Sequence, residues 1–511
     1  MLARFQSYLL RGIDAQPCEV EIDADESQLD RQTIVGLPDA AVKESIERVR
    51  SALTNTGYRF PRGRVLINLA PADVRKESPL YDLPIALGLL AAQGVIRSRA
   101  HGDGAPIDPG RTIFAGELAL DGRVRPIKGA IAMAALAKQS GADAVVVPAL
   151  NATEAAVVEG VSTFGVRTLD EAVGLIQGTL ELEPTPPPDV AGLLRTAPAP
   201  IDFAEVRGQE SVKRAVVVAA AGTHNILMLG PAGTGKSMMA KALPGVLPPM
   251  TVDEALEVTR ICSAAGELPP GEGLVRVRPV RCPHHTASSA AVVGGGIVPR
   301  PGEISLAHNG VLFLDELPEF PRAVLETLRQ PLEDRVVTIA RSHSSIRFPA
   351  NFMLVAAMNP TPKGDMPVGE VGRREMERYL SRISGPLLDR IDIHVEAPAV
   401  PWKQLSGTAN GTSTADMREQ VLAARERQTA RQGESLPNAR LSGKQLDKLA
   451  LIDDDAISLL GQAITELGLS ARAYDKIRRV SRTIADLGGA ERVSVAHVSE
   501  AVQYRLLDRR V

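Results

Sequence analysis

Short apolar runs alternate with longer amphipathic stretches in the first 180 residues of the chain. The runs at 63–71 and 143–150 predict buried strands. The stretch 39–57 predicts a helix with Asp39 as its N-cap, and 129–141 predicts a second helix that leads into a strand. This pattern predicts an α/β domain, although periodicity alone does not fix its topology.

A proline-rich stretch interrupts this pattern, and two further patterns follow it. The stretch 181–200, "ELEPTPPPDVAGLLRTAPAP", lacks a sustained apolar period, which favours an extended, semi-rigid linker. Strands and helices alternate again over 201–400, whereas 401–511 contains only helical patterns. We therefore predict an α/β domain at 1–180, a linker, a second α/β domain and an all-helical lid.

The composition is that of a globular protein of 511 residues, with 44% hydrophobic and 23% charged residues. Because the net charge is −3, any contact with nucleic acid must come from local basic patches. The three cysteines form no CxxC pair, which argues against a disulfide framework and a thiolate zinc site. The chain has neither an apolar leader nor a run of about 20 apolar residues, so we expect a cytoplasmic protein with no membrane partner.

The stretch "HNILMLGPAGTGKSMMAKAL" places an apolar strand before, and a helix after, the pattern G-x-x-x-x-G-K-[ST]. Glycines let backbone N–H groups turn toward phosphates, Lys236 would reach the β- and γ-phosphates, and the Ser237 hydroxyl can bind Mg²⁺. The predicted nucleotide-binding residues are Gly230, Pro231, Ala232, Gly233, Thr234, Gly235, Lys236, Ser237 and Met238.

An acidic pair follows a second apolar strand in "HNGVLFLDELPEF". The apolar residues Val311 to Leu314 predict a buried strand that delivers Asp315 and Glu316 to its carboxyl end, the edge where ligands bind in open α/β sheets. Asp315 would complete the Mg²⁺ site, and Glu316 would activate the attacking water. The alternative, an exposed acidic turn, fits poorly with so hydrophobic a strand.

Three further polar residues follow in the order expected of phosphoryl-transfer machinery. A third apolar strand, "NFMLVAAMNP", ends in Asn359, which would position water or the γ-phosphate. Arg390 and Arg472 come later, and either alone is more often a surface or salt-bridge residue. After these motifs they are better interpreted as groups that stabilise charge on the transferring phosphoryl. The sequence therefore predicts an ATPase.

The order of these motifs resembles that of the AAA+ ATPases, in their magnesium-chelatase-like branch. The strings at 283–296, 299–320 and 379–392 are similar to the YifB/ComM family, and the resemblance extends to "VGLPDAAVKESIERVR" near the N-terminus. It implies a central AAA+ P-loop α/β sandwich followed by a helical lid, with ATP and Mg²⁺ as cofactors.

The family resemblance also implies roles for single residues. Lys236 falls in Walker A, Asp315 and Glu316 in Walker B, and Asn359 at sensor 1. Arg390 matches the arginine finger, which acts on the ATP of a neighbouring subunit. The sensor 2 arginine of the lid is matched by Arg472. Because a finger acting in trans is useless in a monomer, the resemblance implies a ring, in the form of a homohexamer.

One string departs from many members of the family. They carry a cysteine pair after the sensor asparagine, where this chain has "NPTPKGD", so no metal clip can form there. Cys282, His284 and His285 form the one compact thiol–imidazole cluster in the sequence. A zinc site is one interpretation of this cluster, and a structural or ring-interface role is the other.

The N-terminal domain resembles the proteolytic domain of Lon without its catalytic pair. Aligning "KESPLYD" places Leu80 where Lon has its serine, and aligning "PIKGAIAM" places Ile131 where Lon has its lysine. Neither residue can act as nucleophile or base. A shifted dyad of Ser78 and Lys128 would point its side chains elsewhere. We expect a non-proteolytic domain used for assembly or substrate handling.

A basic segment, "DRVVTIARSHSSIRFPA", lies between the acidic strand and Asn359. It predicts two short strands around a serine-rich turn. In the family it corresponds to the hairpin inserted before sensor 1, which faces the ring pore in related DNA motors. Arg335, Arg341 and Arg347 would follow DNA phosphates there without reading sequence. The alternative is a solvated hairpin at a subunit interface. The aromatic content of 3% argues against base stacking and favours duplex or branched DNA.

These residues and the family resemblance leave three candidate functions. The first is a DNA motor that drives branch migration of recombination intermediates, with DNA, other copies of itself and recombination proteins as partners. The second is a magnesium-chelatase-type subunit, which the 180 N-terminal residues argue against. The third is a MoxR-like remodelling chaperone, whose ATPase activity would ignore DNA. We favour the first.

Overall fold

The computed structural model describes residues 2–27, 29–96, 107–199, 201–296, 298–341, 344–361, 369–401, 411–433, 436–505 and 507, with backbone alone at 341, 344 and 369–373. The described chain divides into two compact units. The N-terminal unit comprises Met1–Leu193 and Val252–Val275. The C-terminal unit comprises Leu194–Thr251 and Arg276–Val511.

A seven-stranded mixed sheet forms the centre of the N-terminal unit, in the order β3-β4-β2-β1-β5-β8-β9. The strands β1, β2 and β4 pair antiparallel, and the remaining pairs are parallel. The strands of this unit are β1 (Leu2–Arg11), β2 (Asp14–Asp25), β3 (Arg31–Val35), β4 (Arg64–Ala70), β5 (Thr112–Phe114), β6 (Glu117–Leu118), β7 (Val124–Arg125), β8 (Ala144–Pro148) and β9 (Ser162–Val166). The predicted strands at 63–71 and 143–150 are confirmed as β4 and β8.

Helices cover this sheet with apolar faces. The helix predicted at 39–57 is two helices, Ala40–Lys43 and Ser45–Asn55, and Asp39 Oδ1 accepts from Val42 N at 2.8 Å as the predicted N-cap. The helix predicted at 129–141 is Ala130–Ser140. The other helices of the unit are Asp82–Ala92, Ala152–Ala155, Leu169–Gln177 and Val252–Ala265.

The proline-rich stretch is only partly the extended linker that its composition predicts. Thr185 N donates to Thr163 O at 2.7 Å, so its first half lies beside β9. The second half contains a helix, Val190–Arg195, because Asp189 Oδ1 accepts from Gly192 N and closes the first turn.

The helix Val252–Ala265 follows the P-loop helix in sequence but packs into the N-terminal unit. Ser263 Oγ accepts from Gly129 N at 2.8 Å and contacts the buried Glu154 carboxylate. Lys128, half of the shifted Lon-type dyad, donates to Ala265 O at 3.2 Å. The N-terminal unit is therefore formed by two segments that are separate in sequence. Leu80 and Ile131, at the two Lon positions, are both buried.

A five-stranded parallel sheet, in the order β11-β14-β17-β10-β18, forms the core of the C-terminal unit. Its main strands β10, β14 and β17 are buried along their whole length, as the continuous apolar runs predict for a covered parallel sheet. The strands of this unit are β10 (Ile226–Leu229), β11 (Val280–Arg281), β12 (Gly294–Gly295), β13 (Arg300–Pro301), β14 (Val311–Leu314), β15 (Val336–Arg341), β16 (Ser344–Pro349), β17 (Met353–Met358) and β18 (Ile393–Glu396).

Helices flank this sheet and form the predicted helical C-terminal region. Serine N-caps begin several of them; Ser470 Oγ, for example, accepts from Ala473 N at 3.2 Å. The helices beside the sheet are Glu210–Gly222, Lys236–Val246, Ser289–Val293, Glu303–Leu306, Arg322–Thr327, Arg329–Asp334, Gly369–Leu380 and Gly385–Leu388. The C-terminal helices are Thr414–Gln432, Gly443–Leu449, Asp454–Leu467, Ala471–Leu487 and Val495–Gln503. Among the described residues, no helix combines the length and apolar content needed to cross a bilayer.

Candidate nucleotide site

The P-loop lies at the carboxyl edge of the parallel sheet, between β10 and the helix Lys236–Val246. Gly233 and Gly235 adopt φ values of +79° and +83°, which a residue with a Cβ rarely adopts. Gly230 N donates to Met358 O at 3.1 Å, so the loop begins against the end of β17. The backbone therefore turns in the way that a phosphate-binding loop requires.

Lys236 connects the loop to the neighbouring strand end. Its Nζ donates to Gly230 O at 2.6 Å, to Pro231 O at 2.8 Å and to Asn359 Oδ1 at 3.2 Å. Burial lowers the pKa of Lys236, whereas the nearby carboxylates of Asp315 and Glu316 act in the opposite direction. Residues predicted to act on the same phosphate thus lie in contact although 123 positions separate them in sequence.

Oxygen donors for a hard cation meet beside this lysine. Ser237 Oγ donates to Asp315 Oδ2 at 2.6 Å, and Glu316 N donates to Asp315 Oδ1 at 3.0 Å. A hydroxyl and a carboxylate are ligands that Mg²⁺ accepts together with phosphate oxygens and water. These groups, the left-handed glycines and the start of a helix fit Mg²⁺–ATP at this edge.

Glu316 has a partner that the sequence does not suggest. His285 Nδ1 lies 3.4 Å from Glu316 Oε2. In the sequence, His284 and His285 belong to a thiol–imidazole cluster. No pattern in the sequence predicts that they lie near the end of β14. Within the described ranges, no three His, Cys, Asp or Glu side chains converge as a metal site would require. The zinc interpretation therefore finds no support in this part of the chain.

Arg390 and Arg472 lie at the opposite, amino edge of the sheet. Both line a cavity of about 430 Å³ together with Asn225, Phe352 and Asp392, the residues that directly precede β10, β17 and β18. The length of β10, about 13 Å for four residues, separates this edge from the P-loop. The structure thus places the two arginines on one cavity, away from Lys236 of the same chain.

Within this amino-edge cavity, an ion pair with Glu333 holds the side chain of Arg390. Its guanidinium donates to Glu333 Oε1 at 2.5 Å and to Pro386 O at 2.6 Å, and its side chain is 12% exposed. Arg472, near the start of the helix Ala471–Leu487, is exposed. Lys476, one turn further along, pairs with Asp392 at 2.9 Å. Arg472 is therefore open to solvent, whereas the guanidinium of Arg390 is engaged by Glu333.

The predicted basic hairpin is confirmed as the antiparallel pair β15–β16. Its faces alternate: Ile339 and Ile346 are buried, whereas Thr338 and Arg347, directly opposite one another, are exposed. The side chain of Arg341 lies outside the described residues.

Arg335 precedes this hairpin, at the end of the helix Arg329–Asp334, and it lines the amino-edge cavity. Burial lowers the pKa of Arg335. Of the three predicted DNA contacts, the structure therefore presents Arg347 on an open hairpin face and places Arg335 elsewhere.

Comparison with protein families matches most of the chain. The family described as "Magnesium chelatase, subunit ChlI" matches residues 202–405, and "Magnesium chelatase, subunit ChlI C-terminal" matches residues 411–505. A third family, "Subunit ChlI of Mg-chelatase", matches residues 20–151. Because that description too is of a chelatase subunit, the N-terminal segment alone no longer argues against a chelatase-type role.

Individual relatives are similar over nearly the full length. A "Competence protein ComM" of Haemophilus influenzae is 44% identical over 483 residues, which cover 93% of this chain and 92% of the relative. An "Uncharacterized protein YifB" of Salmonella typhimurium is 42% identical over 502 residues, covering 98% and 96%. The "Magnesium-chelatase 38 kDa subunit" of Rhodobacter capsulatus is 27% identical over 336 residues, covering 60% and 87%. The chain therefore belongs to the YifB/ComM family of magnesium-chelatase-like AAA+ proteins.

Proposed function

We propose that the protein is an ATP-driven ring motor that acts on DNA, by branch migration or remodelling of intermediates during DNA uptake or recombination. The observation that carries the ATPase part is the meeting of Lys236 with Asn359 and of Ser237 with Asp315 at one sheet edge. Three strand ends far apart in sequence supply the groups that phosphoryl transfer needs. The similarity to a protein named for competence supports the DNA part.

Each residue of the carboxyl edge has a distinct role in this proposal. Lys236 stabilises charge on the β- and γ-phosphates, and the Glu316 carboxylate accepts a proton from the attacking water. Asn359 orients that water or the γ-phosphate. Mg²⁺, held by Ser237 and Asp315, would neutralise phosphate charge when bound.

The amino-edge cavity supplies the remaining positive charge from a neighbouring copy. Arg390 and Arg472 line it at the edge away from the P-loop of the same chain. A head-to-tail arrangement, in which the P-loop edge of one copy meets the amino edge of the next, brings both arginines to ATP. Repeated contacts of this kind close into a ring, which we propose is a hexamer.

The β15–β16 hairpin supplies the contact with DNA. Arg347 is exposed on the face opposite the buried Ile346 and Phe348, so its guanidinium can reach a phosphate while the hairpin stays packed. Such a contact is independent of base sequence, as expected of a motor that moves along branched DNA. We place this activity in the cytoplasm, alongside recombination proteins.

Measuring ATP hydrolysis against a series of DNAs tests the proposal. The protein is assayed without DNA and with single strands, duplex and a four-way junction, and Glu316→Gln serves as the control for contaminating ATPase. Stimulation by the junction that is lost in Glu316→Gln supports the DNA motor. A rate indifferent to all DNAs refutes the DNA part, and the protein clients and chelatase partners of the other two hypotheses are then tested in the same assay.

A further inference from the structure

One segment of the N-terminal unit, Val252–Val275, is inserted in sequence between two elements of the nucleotide site, and we call it the arm. The P-loop helix ends at Val246, shortly before the arm begins. After the arm the chain enters β11, and β11 pairs with β14, whose carboxyl end carries Asp315 and Glu316. Both ends of the arm are therefore joined through the chain to elements that hold candidate nucleotide-binding residues.

Arg278 ties together the chain segments at the two ends of the arm. Its Nε donates to Pro248 O at 2.7 Å and its Nη2 to Pro249 O at 3.2 Å, in the connection between the P-loop helix and the arm. Its Nη1 donates to Asn309 O at 2.6 Å, shortly before β14. Hydrogen bonds from a charged donor are stronger than those between neutral groups. A displacement of the P-loop helix therefore reaches the arm through a braced connection.

A buried polar cluster attaches the arm to the rest of the N-terminal unit. Ser263, on the helix of the arm, is 3% exposed, and its Oγ accepts from Gly129 N at 2.8 Å and contacts the Glu154 carboxylate. Glu154 is also buried, and it accepts from Ile131 N at 2.9 Å. Because a buried polar group without a partner is costly, these hydrogen bonds favour keeping the arm in place.

The attachment lies at the first turn of the helix Ala130–Ser140. Ile131, which the resemblance aligns with the Lon lysine, belongs to that turn and donates its N–H to Glu154. The part of the domain that carries the lysine in a Lon-type protease therefore binds a segment of the same chain here.

Contacts nearer the surface support the same attachment. Lys128 Nζ donates to Ala265 O at 3.2 Å. Arg260 pairs with Asp14 on β2. Because these two contacts lie on either side of Ser263 along the arm, the arm is held at more than one point.

We infer that the arm transmits occupancy of the nucleotide site to the helix Ala130–Ser140, with Ser263 and Glu154 as its attachment. Lys236 Nζ donates to two carbonyls of its own loop, and it must leave them to reach a phosphate. Because the P-loop helix begins at Lys236, this rearrangement acts on the helix whose far end leads to the arm. The N-terminal unit thereby responds to ATP, a property that rests on the part of the proposed function in which the P-loop binds ATP.

Amide hydrogen exchange of the whole chain tests this inference. All variants carry Glu316→Gln, so that ATP binds without being hydrolysed, and exchange is measured with and without Mg²⁺–ATP. Ser263→Ala removes the attachment. Lys128→Ala combined with Arg260→Ala weakens it nearer the surface, where folding is least disturbed.

Ser140→Ala is the matched control, because it makes the same substitution at the exposed other end of the helix Ala130–Ser140. In the parent protein we expect ATP to slow exchange about threefold or more in both the P-loop helix and the helix Ala130–Ser140. Ser263→Ala and the double variant should keep the response of the P-loop helix and lose most of the response of Ala130–Ser140, whereas Ser140→Ala should keep both. The ratio of exchange rates with and without ATP cancels any general rise in exchange that a substitution causes.

Two results would overturn the inference and leave the proposed function intact. One is protection of the P-loop helix by ATP with no change in Ala130–Ser140, and the other is an equal response of Ala130–Ser140 in every variant. If ATP protects neither helix, ATP binding at the P-loop is refuted and the inference fails with it. If Ser263→Ala does not fold, the double variant decides alone.

Discussion

The two edges of the C-terminal sheet carry different kinds of polar group. At the carboxyl edge, the polar side chains form hydrogen bonds within one chain: Lys236 contacts Asn359, and Ser237 contacts Asp315. At the amino edge, Arg390 is held by Glu333, which is 56% exposed, and Arg472 is exposed. The polar groups of the carboxyl edge contact one another, whereas at the amino edge Arg390 is paired and Arg472 is open to solvent. This difference supports the proposal of an active site that is completed between copies.

The largest expected effect comes from breaking the amino edge. Arg390→Ala should lower kcat about 10³-fold, because it removes the charge that an arginine acting in trans supplies to the transferring phosphoryl. Mixing this variant with Lys236→Ala should restore part of the activity, since some junctions between subunits then combine an intact P-loop with an intact Arg390. If no mixture hydrolyses ATP faster than its two component variants do separately, a site shared between copies would be contradicted.

Breaking the carboxyl edge should have the next largest effect. Lys236→Ala should lower kcat about 10²-fold or more, because the lost ammonium stabilises charge in the transition state. Lys241→Ala on the same helix is the matched control, since Lys241 is exposed. ATP titration alongside the rate assay separates lost binding from lost chemistry. Equal rates for the two variants would refute the role of Lys236.

One acid at each edge can be compared: Asp392, which we expect to stabilise the fold, and Asp315, which we expect to serve catalysis. Asp392 pairs with Lys476 at 2.9 Å beside the amino-edge cavity. Asp392→Asn leaves the lysine uncompensated and should lower the free energy of unfolding by about 3 kcal/mol. Asp315→Asn at the other edge should abolish activity and leave the thermal midpoint almost unchanged. Asp447→Asn, at a side chain that is 68% exposed, is the control for losing a surface pair.

The same aspartate predicts the direction of a pH effect on stability. Burial opposes its ionisation, but Lys476, His224 and the N–H of Asn225 together outweigh burial and hold the pKa of Asp392 below its usual range. A carboxyl whose pKa is lower in the folded state stabilises it above the unfolded-state value of about 3.9. This contribution is lost as the pH falls below that value. The free energies of unfolding of wild type and Asp392→Asn, measured by denaturation, should therefore converge under strongly acidic conditions. A difference between these free energies that stays constant down to the lowest pH would contradict the assignment.

The smallest expected effect concerns the β15–β16 hairpin. In sequence this hairpin lies in the connection between the carboxyl end of β14 and the amino end of β17. Arg347→Ala should weaken DNA binding a few-fold and reduce the slope of log affinity against log salt by about 1, the signature of one phosphate contact. Binding is measured at several salt concentrations, with Thr338→Ala as the control on the same open face. An unchanged slope would remove Arg347 from the DNA surface.

Much of the carboxyl edge could be predicted because its chemistry is encoded locally. A glycine pattern between a strand and a helix, and acidic or amide residues at strand ends, indicate their positions whatever the connections between them. The strands at 63–71 and 143–150 were predictable for the same reason. The helix Val190–Arg195 does not follow from the sequence pattern, because the proline content outweighs a short cap signal at Asp189.

The candidate phosphate-binding residues and the α/β framework that holds them follow from the amino-acid sequence, since both depend on short-range patterns. The tertiary structure alone decided which residues meet. It placed Arg390 and Arg472 at the edge opposite Lys236, brought His285 to Glu316, and packed the helix Val252–Ala265 into the N-terminal unit. Those contacts depend on how parallel strands and their connections are arranged in three dimensions, which no local period or spacing encodes.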